Sequence, residues 1–136
     1  MLHASRIIKQ WEAMSQERLR AAKALLDAGF YRDSISRSYY AAYCAATSRV
    51  IDRGIVFANG RRNPSHEQLP DLIANVGDVS MPNRRRIRKS LYFLRQAREN
   101  ADYRPSAFIS RAVALDCIQN AALVQALLEV EDNGND

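Results

Sequence analysis

Only five glycines and four prolines interrupt this chain of 136 residues, and most of them fall between positions 54 and 82 or at the ends of candidate helices. Long uninterrupted segments remain, which favours helices over the frequent turns of a β architecture. Cysteine is nearly absent. Cys44 and Cys117 both lie in helical stretches among apolar neighbours, so they read as small core residues in a reducing compartment, which excludes a disulfide framework. His3 and His66 are the only histidines, and no Cys/His spacing accompanies them, so no metal or other cofactor is expected. The opening MLHASR has no apolar signal region, and no run approaches the roughly 18 apolar residues of a membrane span. A cytoplasmic protein without membrane contact is expected. No phosphate-binding glycine loop, dinucleotide fingerprint, HExxH or GxSxG is present.

What is there is a mixed, helix-forming composition with its charge concentrated in one place. Hydrophobic residues make up 47% and charged residues 26%, enough apolar surface for a single core and too short a chain for two. The formal net charge is +5. Between Arg84 and Arg104 stand eight basic residues against Glu99 and Asp102, a local charge of +6, so the rest of the chain sums to −1. Of the 20 basic residues, 17 are arginine, the better type for bidentate phosphate contact.

The periodicity predicts an all-α fold: an up-and-down antiparallel bundle of four long helices plus one short one over residues 1–130, with a polar tail over 131–136. The first helix spans about 5–28, with Ile8, Trp11, Leu19, Ala22, Leu25 and Leu26 in its apolar stripe and Gly29 as its stop. The second opens at Asp33 as N-cap and runs to 52 or 53, with Ile35, Tyr39, Ala42, Ala46 and Val50 inward. Residues 54–65 form a loop. Ser65 and Gln68 make a capping-box pattern that opens the short helix to about 76. The fourth helix covers about 83–102. The last starts after Pro105, with Ser106 as cap, and ends near 130 in front of a frayed EDNGND.

The fourth helix carries the least ordinary pattern. Its inner positions Ile87, Leu91 and Leu94 continue in register to Arg98, and burying an unpaired guanidinium costs several kcal/mol (roughly 3–5 when a buried pair is broken). Asp102, four residues on, is within reach as its partner. Two readings stand: a structural Arg–Asp clamp, or an arginine held at a pocket to meet phosphate. Tyr39 and Tyr43 share the inner side of the second helix, and Tyr40 is turned by about 100°. Buried tyrosine hydroxyls find polar partners, so one of these is expected to bond Asp102 or Arg98. Arg37 lies near them, and Asp116 and Asn120 on the last helix are further candidate partners for Arg37 or Arg98. Arg84, Arg85, Arg88 and Arg95 are candidates for a polyanion-binding face, against the plainer reading of a solvated one. His66 is a surface or capping residue unless the short helix folds over this basic end.

The segments 18–46 (RLRAAKALLDAGFYRDSISRSYYAAYCAA), 65–69 (SHEQL) and 91–103 (LYFLRQARENADY), in that order and followed by an apolar helix, resemble the HEPN domain family, in particular its small stand-alone members. The resemblance covers about 15–128. It implies a helical bundle that usually forms a homodimer, in a group rich in toxin–antitoxin, phage-defence and RNA-processing proteins. Many are encoded beside a minimal nucleotidyltransferase. Its active members pair an arginine with a histidine four to six residues on and cut RNA without a metal. Arg98 matches the arginine, with Asp102 and Tyr103 in the catalytic segment and Tyr103 where the histidine would stand. Histidine titrates near neutrality, whereas tyrosine has an ordinary pKa of about 10 and is a poor base at pH 7. The resemblance therefore implies an RNA- or nucleotide-binding protein whose ribonuclease activity is weak or degenerate. The alternative is a non-catalytic helical module that binds a nucleotidyltransferase partner.

Overall fold

The computed structural model describes residues 2–55, 57 and 63–134, with side chains described over 5–55, 57 and 63–129. Five helices follow in order: α1 (Leu2–Asp27), α2 (Tyr31–Asp52), α3 (Leu69–Ile73), α4 (Met81–Tyr103) and α5 (Arg111–Gly134). Among the described residues there is no strand, so the expected all-α bundle of four long helices and one short one is what forms.

Helix α2 is the axis of the bundle and touches each of the other four. Its stripe shows why. Ile35, Ala42, Ala46 and Val50 are fully buried and Tyr39 nearly so, and Ala41 is fully buried beside them. Methyl side chains let neighbouring backbones approach, and α1 and α5 pack on α2 most extensively. Helix α5 is long and apolar enough over 111–129 to match a membrane span by composition. In the bundle its Ala114, Cys117, Ala121 and Val124 are fully buried. The thiols of Cys44 and Cys117 are buried and unpaired with each other, and burial pushes them up to about 11 and about 12. Both are therefore protonated, inert core groups.

The helix ends depart from expectation in several places. Helix α2 begins at Tyr31, with Phe30 as a cap that supplies no side-chain bond. Gly29, at φ 87°, reverses the chain so tightly that Phe30 N already donates to Leu25 O at 2.8 Å. Asp33 thus falls inside the first turn, where its charge meets the helix N-terminus without capping it. Helix α5 begins at Arg111, and its cap is Ser110, whose Oγ accepts from Val113 N at 3.2 Å, not Ser106. A turn closed by Ala107 N to Arg104 O keeps residues 104–107 out of the helix. Helix α5 also continues to Gly134, through most of the expected tail. Residues 135 and 136 lie outside the described residues, as do 56 and 58–62 of the expected 54–65 loop.

At two other ends a serine supplies the bond. Ser65 Oγ accepts from Gln68 N at 3.1 Å, but it closes a turn ahead of α3, which is shorter than expected, with Gln68 at its cap position and its end at Ile73. Ser80 Oγ accepts from Asn83 N at 3.3 Å, and Pro82 occupies the first turn of α4, where a missing N–H costs nothing. Ile87, Leu91 and Leu94 are buried as the α4 stripe. That register fixes the direction in which Arg98 points.

Candidate functional site

Helix α4 turns Arg98 onto the tyrosines of α2. The guanidinium carbon lies 5.2 Å from the Tyr39 ring centre, 5.9 Å from Tyr40 and 5.8 Å from Tyr103. This is cation–π range for all three rings. The Arg98 side chain is 11% exposed, and its Nε is sealed without a hydrogen-bond partner among the described residues. Its carboxylate partner is looser. Asp102 Oδ2 stands 3.7 Å from Arg98 Nη1, its side chain is 27% exposed, and it also accepts from Ser36 Oγ at 3.2 Å. The pair is real but only half shielded, so it is worth less than a buried clamp.

The tyrosine hydroxyls do not reach Arg98 or Asp102, contrary to expectation. Those of Tyr39 and Tyr43 are taken by the segment before α3. Tyr43 Oη donates to Pro64 O at 2.6 Å and accepts from Asn63 Nδ2 at 2.8 Å. Tyr39 Oη lies 2.5 Å from His66 Nδ1. These bonds fold the 63–66 turn over the arginine end, and the His66 ring rests 4.7 Å from Tyr43, 5.4 Å from Tyr39 and 5.8 Å from Tyr40. Tyr39 and Tyr43 are thereby sealed in the core and offer no stacking face. Tyr40 is half-buried, and Tyr103 is 70% exposed.

The protonation states follow from this packing. Burial raises Tyr39 far above its ordinary value, against the opposing pull of Arg98 and Arg95. Burial likewise raises Tyr43. His66 moves the other way: burial first, then the charges of Arg98 and Arg95, hold it below its ordinary value. Near neutral pH Tyr39 keeps its proton and His66 is uncharged. A buried Tyr39 hydroxyl with no other acceptor among the described residues donates to His66 Nδ1. The imidazole proton then sits on Nε2, which has no partner among the described residues and is not sealed from solvent. His66 is accordingly a neutral hydrogen-bond donor beside a guanidinium. With its second nitrogen occupied, it is not placed as a base.

The remaining candidates separate. Arg84 Nη1 donates to Ala74 O at 3.1 Å and Val76 O at 3.4 Å, closing the end of α3. Arg88 pairs with Asp71 at 3.3 Å, and Arg95 lies 3.7 Å from both Glu67 and Glu99. The local +6 is therefore partly cancelled in space by acids that the 66–71 segment brings in. Arg85 stays on the surface, its Nη2 3.5 Å from Met81 Sδ. Arg37 is exposed and makes no ion pair among the described residues. Asn120 bonds Ser90 and its own helix, not Arg98, and Asp116 contributes only to that helix-local contact.

Sequence reasoning missed Arg32. From the start of α2 its guanidinium donates to five carbonyls: Asn100, Ala101, Arg104, Pro105 and Ala107, at 2.9 to 3.2 Å. It caps the end of α4 and so fixes the segment that carries Arg98 and Tyr103. No side-chain pattern announces an arginine whose acceptors are all backbone. Arg49, buried at 5%, ties α2 to Asp78 at 3.1 Å and to Leu128 O at 2.6 Å, also unforeseen.

The chain matches the HEPN domain family over residues 8–131, nearly its whole length and all five helices of the bundle but for their outermost residues. No curated protein matches it.

Proposed function

The chain belongs to the HEPN domain family, a family generally associated with ribonuclease and nucleotide-binding functions, and on that premise we propose that it binds RNA or nucleotides at its Arg98 end and that any cleavage is slow. One observation supports this above the others. Arg98 is held nearly desolvated over three tyrosine rings, beside the His66 imidazole whose Nδ1 is engaged by Tyr39. A cation and a neutral donor converging at the end of a bundle suit a phosphate oxygen. The same geometry argues for slow chemistry. Strand cleavage needs a group that removes the proton of the ribose hydroxyl. His66 is committed to Tyr39, Tyr103 is of a weakly basic type, and Asp102 is engaged with Arg98 and Ser36. A homodimer in a toxin–antitoxin or defence setting, in the cytoplasm, belongs to the same proposal.

The test uses Arg98→Ala. Purified parent protein should bind a nucleoside monophosphate and single-stranded RNA, with RNA affinity falling steeply as salt rises. Arg98→Ala should lose mononucleotide binding and any metal-independent cleavage while keeping most RNA binding. Cleavage unchanged in Arg98→Ala would place the chemistry elsewhere. Parent protein with no affinity for either ligand at low salt would leave the second reading, an interaction module for a partner such as a nucleotidyltransferase. That reading draws on Phe30 and Phe108, which are 57% and 85% exposed at the α1–α2 and α4–α5 turns.

A further inference from the structure

The outward side of α4 carries a feature that neither the Arg98 site nor the bundle core uses. The buried residues Ile87, Ser90, Leu91, Leu94, Ala97 and Ala101 fix one side of the helix inward. At about 100° per residue the opposite side carries Arg85, Lys89, Tyr92 and Gln96, with Arg86 and Phe93 on its flank. All six are exposed, Tyr92 at 51% and Phe93 at 39%. Arg85, Arg86 and Lys89 make no ion pair with any described residue. Of the acids of α4, Glu99 reaches toward Arg95 and Asp102 toward Arg98. The structure thus redistributes the basic run: Arg84, Arg88 and Arg95 are engaged within the fold, and the cations that pair with no described residue stand beside two solvent-facing rings.

We infer that this face of α4, three cations followed by Tyr92 and Phe93, is a binding track for single-stranded RNA, with the cations on phosphates and the rings stacked on unpaired bases. The inference rests on the proposed function for the choice of RNA and extends it to a surface outside the Arg98 pocket. Charge selects the occupant. In a two-fold contact between copies of the chain this face would meet itself, setting three cations against three. A polyanion meets them favourably and releases counterions on binding. The rings select single strands. Bases inside a duplex offer no open face, and the deep, narrow major groove of A-form RNA does not admit a helix. Splayed bases stack on exposed aromatic rings. From Arg85 to Phe93 the row is about 12 Å long, so phosphate and base contacts are adjacent along one strand.

The experiment is fluorescence anisotropy with a labelled single-stranded oligoribonucleotide, its duplex, and a labelled nucleoside monophosphate, each over a salt series. Circular dichroism of each variant should match the parent, since every altered side chain is on the surface. Arg86→Glu with Lys89→Glu should weaken single-strand binding more than tenfold and flatten its log–log salt slope by about 1.4, two phosphates at roughly 0.7 each. Tyr92→Ala with Phe93→Ala should weaken single-strand binding at least about fivefold, leave the salt slope unchanged and leave duplex binding unchanged. Neither double variant should alter mononucleotide binding, which reads the Arg98 pocket alone. Mononucleotide binding kept, with oligonucleotide binding unaffected by either double variant, overturns the inference and leaves the Arg98 reading standing. Equal losses for duplex and single strand in the ring variant overturn stacking. A shift from dimer to monomer in sedimentation of the ring variant, with RNA affinity unchanged, assigns the face to a second copy and overturns the inference.

Discussion

Tyr39 Oη and His66 Nδ1 are 2.5 Å apart, and this one contact couples the core of α2 to the only described histidine at the candidate site. It decides which nitrogen of the imidazole faces outward, and it draws the 63–66 turn across the end of the bundle.

A pH dependence of stability follows. The folded-state pKa of His66 is depressed, so between that value and about 6.5 the unfolded chain binds more protons than the folded one. The stabilisation is fully present above about 6.5 and is lost as pH falls through the folded value. Urea midpoints of the parent should drop between pH 7 and pH 5, and His66→Phe should show a smaller drop. Nitrogen-detected NMR at pH 7 should find the His66 proton on Nε2. A proton on Nδ1 would show that Tyr39 accepts in this bond, and His66 would regain a base.

Tyr103→His tests the chemistry. Tyr103 stands 5.8 Å from the Arg98 guanidinium and is 70% exposed, so a smaller ring fits there without repacking. An imidazole free of any counterpart like Tyr39 can take up a proton near neutral pH. Cleavage of single-stranded RNA should rise about 10²-fold or more, the lower range for a positioned acid or base. An unchanged rate in a folded variant that still binds nucleotide would mean that slow cleavage has another cause than the missing histidine.

Asp102→Ala measures the half-shielded pair. A buried pair costs about 3–5 kcal/mol when one partner is removed, and an exposed one about 0.2–1 kcal/mol. With Asp102 at 27% exposure and Arg98 still over the Tyr39 and Tyr40 rings, a loss of about 1–2 kcal/mol is expected in denaturant titration. A loss above about 3 kcal/mol would show that the carboxylate is the main support of Arg98.

Arg32→Ala should be the costlier change, although Arg32 bonds only backbone carbonyls among the described residues. It removes the fork that gathers five carbonyls around the end of α4. A loss of about 2–3 kcal/mol is expected, because hydrogen bonds from a charged donor are among the stronger ones and part of this cluster is exposed. Amide hydrogen exchange should accelerate over 100–107. Arg32→Lys should recover less than half, since an ammonium cannot span the same set. Equal stability of Arg32→Lys and parent would show that charge alone, without the fork, holds the turn.

The sequence made the bundle legible because its signals are periodic. Ile35, Tyr39, Ala42, Ala46 and Val50 were placed inward by spacing alone, and all are buried. Arg98 stood out because a cation broke an apolar register, and the structure puts it against the Tyr39 ring. What stayed hidden depends on contacts between distant segments. Nothing local ties His66 to Tyr39, 27 residues away, or Arg32 to Ala107, 75 residues away. The charge run is rearranged in space for the same reason. Counting along α4 gave a basic face, but Asp71 and Glu67 arrive from another segment and pair with Arg88 and Arg95. The exposure of Tyr92 and Phe93 is likewise a property of the packed bundle.

The central position of α2 has a kinetic consequence. Helices α1 and α2 are joined by three residues, 28–30, so their pairing closes a short loop at little entropic cost. Helices α4 and α5 reach α2 only after far longer closures, and both seat on faces that the α1–α2 hairpin has already set. Folding should therefore be nucleated by that hairpin, with substitutions at Ala22 or Ile35 slowing the folding rate. Changes at Leu94 or Val124 should instead mainly speed unfolding. The arginine end would then be the last part of the molecule to be completed and the first to open, since Arg98, the His66 turn and the Arg32 fork all wait for α4 to dock.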